Sequence, residues 1–282
     1  VIGLELGSVW RRLGAEVTVI EYADQILPGM DGAIRAGLAK SLIRQGMTLM
    51  TATKVTRIAV DGDLARITLT QAGSETMLDA DAVLIATGRR PNTEGLGLER
   101  IGIKKDAKGF IPVDAQGRTA QDGIYAIGDV TAGLMLAHRA EDEGIALAER
   151  LAGRPGIVNH ALIPSVVYTG PEAASVGFSE EALTARGTAY QSFTFPMLAN
   201  SRAKANAATD GFVKLLADAQ TGVILGAHIL AEDAGTLIGQ MAQAMEFSAT
   251  AEDIAYTSHA HPTHNEAIKE AALGLLGAAI HC

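Results

Sequence analysis

The stretch Val1-Ile-Gly-Leu-Glu-Leu-Gly-Ser-Val-Trp10 decides how the rest of the chain is interpreted. Its small and apolar residues predict a helix that continues to Gly14. A short β-branched run, Glu16-Val-Thr-Val-Ile20, follows and ends in Glu21. A helix, a strand and an acidic residue in this order are typical of a Rossmann-like α/β unit. The strand that would come before the helix is not in the sequence, so we expect a partial sequence.

The glycines and the acid also suggest a ligand. In a dinucleotide-binding unit the third glycine of the fingerprint lets the helix pack closely on a strand, and an acid about 20 residues later binds the ribose hydroxyls. Gly3 fits the third glycine and Glu21 fits the acid. An acid favours NAD, because NADP needs a cation for its additional phosphate. Small residues that merely let a helix approach a sheet remain the alternative.

Composition limits the class of protein. The 282 residues are enough for two or three domains, and 48% hydrophobic content with 20% charged residues supports large cores. A net charge of −9 argues against nucleic acid or an anionic membrane as the main partner. Neither a transmembrane stretch nor a secretory signal is visible, so we expect a soluble intracellular protein. The only cysteine, Cys282, excludes a disulfide or a cysteine metal site within these residues.

Periodicity predicts the remaining elements. Residues 31–45 form an expected helix with Ile34, Leu38, Leu42 and Ile43 on its apolar face, and 137–151 form a second, long helix. Expected strands cover 47–60, 64–70, 76–78, 82–86, 123–128, 165–169, 211–217 and 223–230. Further helices are expected near 179–186 and 232–247. We therefore predict an NAD-binding domain at 1–91, a central segment at 92–160 and an α+β domain at 161–282.

The stretch His259-Ala-His261-Pro-Thr-His-Asn-Glu266 permits two interpretations. A carboxylate beside His261 can orient the imidazole and raise its basicity for proton transfer. Alternatively, Thr263-x-x-Glu266 before an apolar run is a capping box, in which both side chains satisfy amides at a helix start. The spacing alone does not decide between them.

Several of these stretches together resemble the FAD- and NAD-dependent disulfide oxidoreductases. The resemblance rests on the stretch at 1–10 and on five further motifs, which occur in the family's order over essentially the whole chain. They are Ala86-Thr-Gly-Arg-Arg-Pro91, Ile124-Tyr-Ala-Ile-Gly-Asp129, Leu136-Ala-His-Arg-Ala-Glu-Asp-Glu-Gly144, Asn200-Ser-Arg-Ala-Lys204 and His259-Ala-His-Pro-Thr263. In the family an FAD domain precedes the NAD, central and dimerisation domains, and this chain resembles the last three.

The resemblance implies roles for individual residues. Gly3, Glu5, Glu21, Val55 and Gly88 would form the NAD site, with Glu5 near the nicotinamide. The FAD residues would be Asp129, on the ribityl or phosphate part, and the amides of Met135, Leu136, Ala137 and His138, which face the flavin ring from a helix N-terminus. His261 would be the catalytic acid/base and Glu266 would orient it. Taken without the resemblance, His138 is typical of a surface or capping residue, and no metal site is expected.

The resemblance also implies a reaction. It is strongest to members that oxidise protein-bound dihydrolipoamide through an enzyme disulfide and FAD to NAD⁺. Expected partners are a second copy of the chain, forming a homodimer, and a lipoyl-bearing acyltransferase or carrier protein of a multienzyme complex. The expected location is the cytoplasm, or the mitochondrial matrix of a eukaryote. A related NAD(P)H-dependent disulfide reductase and a non-catalytic nucleotide-binding or dimerisation fragment are the alternatives.

Two features depart from the family pattern. The redox cysteines belong to the FAD domain and are absent from these residues, so the chain alone should not catalyse the overall reaction. His264 and Asn265 stand where the family pattern has an apolar residue and a serine, which puts the packing around His261 in question.

Overall fold

The computed structural model of the protein describes all 282 residues, and they form two compact units. Residues 1–86 and 164–282 make up the first unit, and residues 87–163 make up the second. Helices and sheets are mixed in the first unit, which confirms the predicted α/β class. The predicted domain boundaries at residues 91 and 160 stay a prediction. No helix is long and apolar enough to cross a membrane.

The first unit begins with alternating helices and strands. Its elements are α1 (Ile2–Arg12), β1 (Thr18–Ile20), α2 (Gly32–Arg44) and β2 (Thr48–Met50), and the two strands pair in parallel. α1 packs closely because its glycines leave room: a Cβ on Gly7 would lie 3.2 Å from Met47 Cε. The helix start of α2 is capped by Asp31, whose carboxylate accepts a hydrogen bond from the Ala33 amide.

An antiparallel sheet follows in the first unit. It consists of β3 (Thr53–Asp61), β4 (Leu64–Gln71) and β5 (Ser74–Ala80), and the turn at Asp61-Gly62 joins β3 and β4 as predicted. Alternate residues of β4, namely Ala65, Ile67 and Leu69, are buried, as expected for a sheet with one covered face.

The predicted strand at 82–86 does not form. These residues have no regular secondary structure, and Leu84 and Ile85 are 54% and 65% exposed. A buried parallel strand needs hydrogen-bonding neighbours on its edges. The parallel sheet in this chain contains only β1 and β2, so the apolar run has no strand beside it.

The rest of the first unit is a five-stranded antiparallel sheet with helices. The strands are β6 (Ser165–Val167), β7 (Glu172–Gly177), β8 (Tyr190–Pro196), β9 (Phe212–Asp218) and β10 (Ile224–Ala231), in the order β6-β7-β10-β9-β8. The helices are α4 (Glu180–Ala185), α5 (Ser201–Ala205), α6 (Ala234–Glu246), α7 (Ala251–Tyr256) and α8 (Glu266–Leu275). The sequence patterns missed β7, β8, α5 and α7.

One core joins α2 to the five-stranded sheet. Ile34, Leu38 and Leu42 are fully buried in a cluster that also contains Leu230 of β10. The contact is close, because a Cβ on Gly37 would lie 2.9 Å from Leu230 Cδ2. Ile43 was wrongly predicted for this face: it is 55% exposed, since it lies one residue beyond the 3.6-residue spacing that Leu42 follows.

The second unit is built around a small core and one long helix. Leu98, Ile103, Ile111 and Ala126 form the core. The helix α3 spans Ala137–Leu151, with the bounds that the sequence predicted. The predicted strand at 123–128 is absent, because only Tyr125 pairs, through an isolated bridge to Arg118, and the chain then enters a short 3₁₀ helix at Gly128–Val130.

Candidate functional site

His261 and Glu266 lie together at the start of α8. The distance between His261 Nδ1 and Glu266 Oε1 is 2.9 Å, and the imidazole is 68% exposed. The ring therefore has one nitrogen held by a carboxylate, while its other nitrogen, Nε2, can reach an external group. This is the geometry of a proton-transfer histidine oriented by an acid.

The surroundings of Glu266 favour the ionised form of its carboxylate. Burial alone would raise the pKa of Glu266, but hydrogen bonds from the Thr263 amide and from His261 outweigh burial and lower the pKa. The Thr263 amide donates to Glu266 Oε2 over 2.8 Å. Because Oε2 is held by the backbone, Oε1 has a fixed direction toward His261.

Glu266 takes part in both of the interactions proposed for this stretch, the helix cap and the pairing with His261. Glu266 supplies half of a capping box through the Thr263 amide and contacts His261 with its other oxygen. The Thr263 hydroxyl does not cap α8: it donates to the Ala260 carbonyl over 2.7 Å. The N-cap position belongs to Asn265, whose side chain makes no capping hydrogen bond.

The predicted nucleotide residues of the first unit occupy α1, the end of β1 and β3. A Cβ on Gly3 would lie 3.3 Å from Ala86 Cβ, so this glycine allows close packing. Glu5 accepts a hydrogen bond from the Tyr168 amide over 2.9 Å. Glu21 follows β1 and its carbonyl accepts from the Thr53 amide, which places it beside the start of β3. Val55, on that strand, is 39% exposed.

Gly88 and Asp129 lie in the second unit. Gly88 has a φ of 124° and open space where a Cβ would be, so a side chain there would be conformationally strained but not crowded. Asp129 lies in the 3₁₀ turn and accepts a hydrogen bond from Arg89 over 3.0 Å. Gly128 also needs to be glycine, because its φ is 67° and a Cβ would lie 2.8 Å from Ala140 Cβ.

The predicted flavin-facing amides surround the N-terminus of α3. Leu136 is the N-cap residue, and no side chain caps this helix start. Met135 precedes it, and Ala137 and His138 are the first two helical residues, both exposed. An uncapped helix N-terminus presents N–H groups and a positive dipole end that stabilise negative charge.

A buried ion pair that was not among the sequence predictions supports this helix start. Arg139 is 4% exposed; its Nε lies 2.8 Å from Glu143, and its remaining nitrogens donate to Thr131, Ala132 and Leu134. Burial would raise the pKa of Glu143, but the Gly128 amide, His160 and Arg139 lower it. The pair thus fixes residues 128–134, which lead into α3.

Replacing Arg139 with methionine should loosen this segment. The change removes charge-assisted hydrogen bonds worth about 1.5–3 kcal/mol each, so amide hydrogen exchange at 131–136 should accelerate roughly tenfold or more. Exchange mass spectrometry measures this directly. Arg154→Met, at an exposed arginine just after the same helix, is the control and should leave the segment unchanged. Equal exchange in both variants would contradict the supporting role.

The sequence missed several contacts of the loop before α8. Asn200 Nδ2 donates to the Thr263 carbonyl over 3.0 Å. His264 is buried, with Nδ1 2.7 Å from Asp233 and with Nε2 unpartnered. Asn265 bonds to Gln240 on α6. These partners are distant in sequence, and only the departure of His264 and Asn265 from the family pattern pointed to them. No group of three or more metal-ligating side chains is present.

A parallel α/β unit, a five-stranded antiparallel sheet with helices and an exposed histidine–glutamate pair are together typical of nucleotide-dependent disulphide oxidoreductases. Family models agree with this class. Residues 1–144 match the pyridine nucleotide-disulphide oxidoreductase model, and residues 163–272 match the dimerisation domain of the same family. The chain belongs to the pyridine nucleotide-disulphide oxidoreductase family, whose members are enzymes that use a flavin and a pyridine nucleotide, and it carries the family's dimerisation domain.

The names of individual relatives are more specific than the name of the family. The chain is 50% identical to dihydrolipoyl dehydrogenase 3 of Pseudomonas putida, over 99% of this chain and 60% of the relative. It is 48% identical to the mitochondrial dihydrolipoyl dehydrogenase of Pisum sativum, over 99% of this chain and 56% of the relative. Among solved structures, LpdA of Mycobacterium tuberculosis superposes with a TM-score of 0.90 at 31% identity, over 97% of this chain and 59% of that one. The chain thus spans a little over half the length of these relatives.

Proposed function

We propose that the polypeptide that carries this chain is a dihydrolipoyl dehydrogenase, which oxidises protein-bound dihydrolipoamide and reduces NAD⁺. The observation that carries the proposal is the exposed His261 ring held through Nδ1 by Glu266. Dithiol oxidation requires a base, because the thiolate and not the thiol attacks a disulfide. In the chemistry proposed, His261 Nε2 takes a proton from the dithiol, and Glu266 keeps the ring in the tautomer that leaves Nε2 able to accept it.

The nucleotide role rests on the first unit. Glu21 would accept hydrogen bonds from the adenosine ribose, with Gly3 and Glu5 along α1 and Val55 on β3 completing this part of the NAD site. Gly88 of the second unit is the fifth proposed residue. Glu21 also repels a 2′-phosphate, which supports NAD as the nucleotide.

The flavin role rests on the second unit. Asp129 would accept from the ribityl or phosphate part of FAD, and the amides of residues 135–138 would hold negative charge on the ring. The uncapped start of α3 fits a cofactor in close approach to the backbone. When bound, FAD and NAD supply the electron acceptors that a side chain cannot provide.

The proposed assembly is a homodimer that serves a lipoyl-bearing acyltransferase or carrier protein. The matched dimerisation domain supports the dimer. Cys282 is the only cysteine of these residues, so the redox disulfide that His261 serves would come from outside residues 1–282. The named relatives include a bacterial and a mitochondrial protein, and both the cytoplasm and the mitochondrial matrix fit the proposal.

The test is turnover by the natural polypeptide that carries this chain, purified with its bound cofactors. Dihydrolipoamide should reduce NAD⁺, with NADP⁺ at least roughly tenfold poorer because Glu21 stands where a cation would be needed. NADH formation is followed by its absorbance. A flavoprotein that reduces a different disulfide with NADH but does not oxidise dihydrolipoamide would refute the proposed substrate. A colourless protein without either activity would refute the proposal that the polypeptide is a flavoenzyme.

A further inference from the structure

Two residues beside His261 have no part in the proposed reaction, yet both bond to the same side chain. Gln240, on α6, has its Nε2 2.9 Å from His259 Nε2. Its Oε1 accepts a hydrogen bond from Asn265 Nδ2 over 2.7 Å. His259 lies two residues before His261 and Asn265 lies four residues after it. One amide therefore contacts both sides of the loop at 257–265, which we call the histidine loop.

The direction of every hydrogen bond in this chain of contacts is determined. The Thr257 carbonyl can only accept, and it lies 2.9 Å from His259 Nδ1, so Nδ1 carries the proton. The Nε2 of a neutral His259 ring then accepts from the Gln240 amide nitrogen. That leaves Gln240 Oε1 as the acceptor for Asn265. With the amide orientations that Gln240 and Asn265 have in this structure, the three residues satisfy one another when His259 is neutral and carries its proton on Nδ1.

The histidine loop needs such support because His261 itself has little. Its ring is 68% exposed and is held by Glu266, which fixes one ring nitrogen and the Thr263 amide but contacts nothing on the His259 side of the loop. We propose that Gln240 is a positioning residue that holds both sides of the histidine loop and thereby sets the direction in which His261 Nε2 reaches the dithiol. The inference rests on the proposed function.

Other contacts keep the loop folded when Gln240 is changed. Asn200 holds the Thr263 carbonyl, and His264 is buried against Asp233. Lys269 of α8 also donates to the Thr257 carbonyl, over 3.3 Å. A variant at position 240 should therefore change the orientation of the His261 ring without unfolding the region. The side chain of the half-buried Gln240 hydrogen-bonds to His259 and to Asn265.

We call the two contacts of Gln240, one with His259 and one with Asn265, the clamp. Its second contact depends on Asn265, where the family resemblance predicts serine. A serine side chain is one bond shorter than asparagine, so its hydroxyl would fall short of Gln240 Oε1. The Asn265→Ser variant therefore removes one side of the clamp and leaves the His259 side in place. It should show a smaller effect than a variant that removes both.

The main test is Gln240→Met, which has a similar length and no hydrogen-bonding group. In the natural flavoenzyme, kcat for dihydrolipoamide oxidation should fall about tenfold, the factor for about 1.4 kcal/mol, with KM changed less than twofold. NADH oxidation by ferricyanide, which needs no dithiol proton transfer, should keep its rate. Gln243→Met, at an exposed position of the same helix, is the control and should leave both rates unchanged. Dithiol kcat within twofold of the unaltered enzyme, or equal losses in both assays, would overturn the proposal.

A second measurement is independent of turnover. Nitrogen-15 spectra of histidine-labelled protein should show His259 as the Nδ1–H tautomer. Gln240→Met should shift the Nε2 resonance, because Nε2 loses its hydrogen-bond donor while the Thr257 carbonyl still accepts from Nδ1–H. This result is expected even if the protein oxidises no dihydrolipoamide, in which case the proposed function fails and the clamp stands. An Nε2–H tautomer in the unaltered protein would overturn the clamp itself.

Discussion

Replacing His261 with glutamine is expected to slow dihydrolipoamide oxidation by at least about 10²-fold, the usual scale of general acid–base catalysis. Glutamine keeps a polar group of similar reach but cannot accept and release a proton near neutral pH. The loss should appear in kcat with little change in KM, because the missing interaction belongs to proton transfer and not to binding. Steady-state rates with dihydrolipoamide and NAD⁺ measure it.

The chain offers a closely matched control for this variant. His281 is also paired through Nδ1 with a glutamate of α8, Glu270, over 2.7 Å, and is 62% exposed. It has the same kind of partner and nearly the same exposure as His261, but lies outside the motif. His281→Gln should therefore retain dithiol turnover. Near-normal turnover in His261→Gln, or equal losses in the two variants, would remove His261 from the mechanism.

The sequence predicted the parts of the fold that local patterns encode. The helix Ala137–Leu151 was correct at both ends, because its periodicity and Gly153 mark it within one stretch. The strands expected at 82–86 and 123–128 were wrong, since an apolar run becomes a strand only where another strand pairs with it. Local pattern thus identifies a helix more securely than a strand, whose partners lie elsewhere in the chain.

The candidate site likewise has one part that the sequence predicted and one part that it did not. The pairing of His261 with Glu266 could be proposed from a five-residue spacing. Gln240 could not, because it lies 19 residues before His259 and 25 before Asn265 on a helix that looks like ordinary core. The motif therefore identifies the histidine proposed to transfer the proton. The residue proposed to position this histidine can be identified only in the folded structure, where the five-stranded sheet brings α6 and α8 together.

The contact least visible in the sequence is the buried salt bridge between Asp31 and Lys214, 183 residues apart. Asp31 is fully buried at the start of α2, and Lys214 of β9 is 5% exposed and donates to it over 2.8 Å. Burial would raise the pKa of Asp31, but the Glu180 amide and Lys214 outweigh it and lower the pKa. Nearby His228 cannot replace the lysine charge, because burial lowers the pKa of its ring.

Replacing Lys214 with methionine should therefore destabilise the first unit by about 3–5 kcal/mol, because it leaves an uncompensated buried carboxylate. Hydrogen exchange at the protected amides of α2 and β9 should accelerate roughly a hundredfold or more. Lys54→Met, at an exposed lysine of β3, is the control and should leave these amides protected. Adding Asp31→Asn to Lys214→Met should recover part of the loss, since asparagine still caps α2 and carries no charge.

The pH dependence gives this prediction a second check. With its lowered pKa, Asp31 contributes stability that is complete above its ordinary pKa of about 3.9 and is lost as pH falls through the lower folded value. The pKa of Lys214 is raised despite burial, through Asp31 and Glu180, so its contribution is complete below about 10.4 and is lost as pH rises further. The deficit of Lys214→Met should hence be constant from about pH 7 to about pH 9, and it should shrink at acid pH, where Asp31 without its lysine takes up a proton. A deficit that disappears within this range would mean that the two groups do not meet as an ion pair.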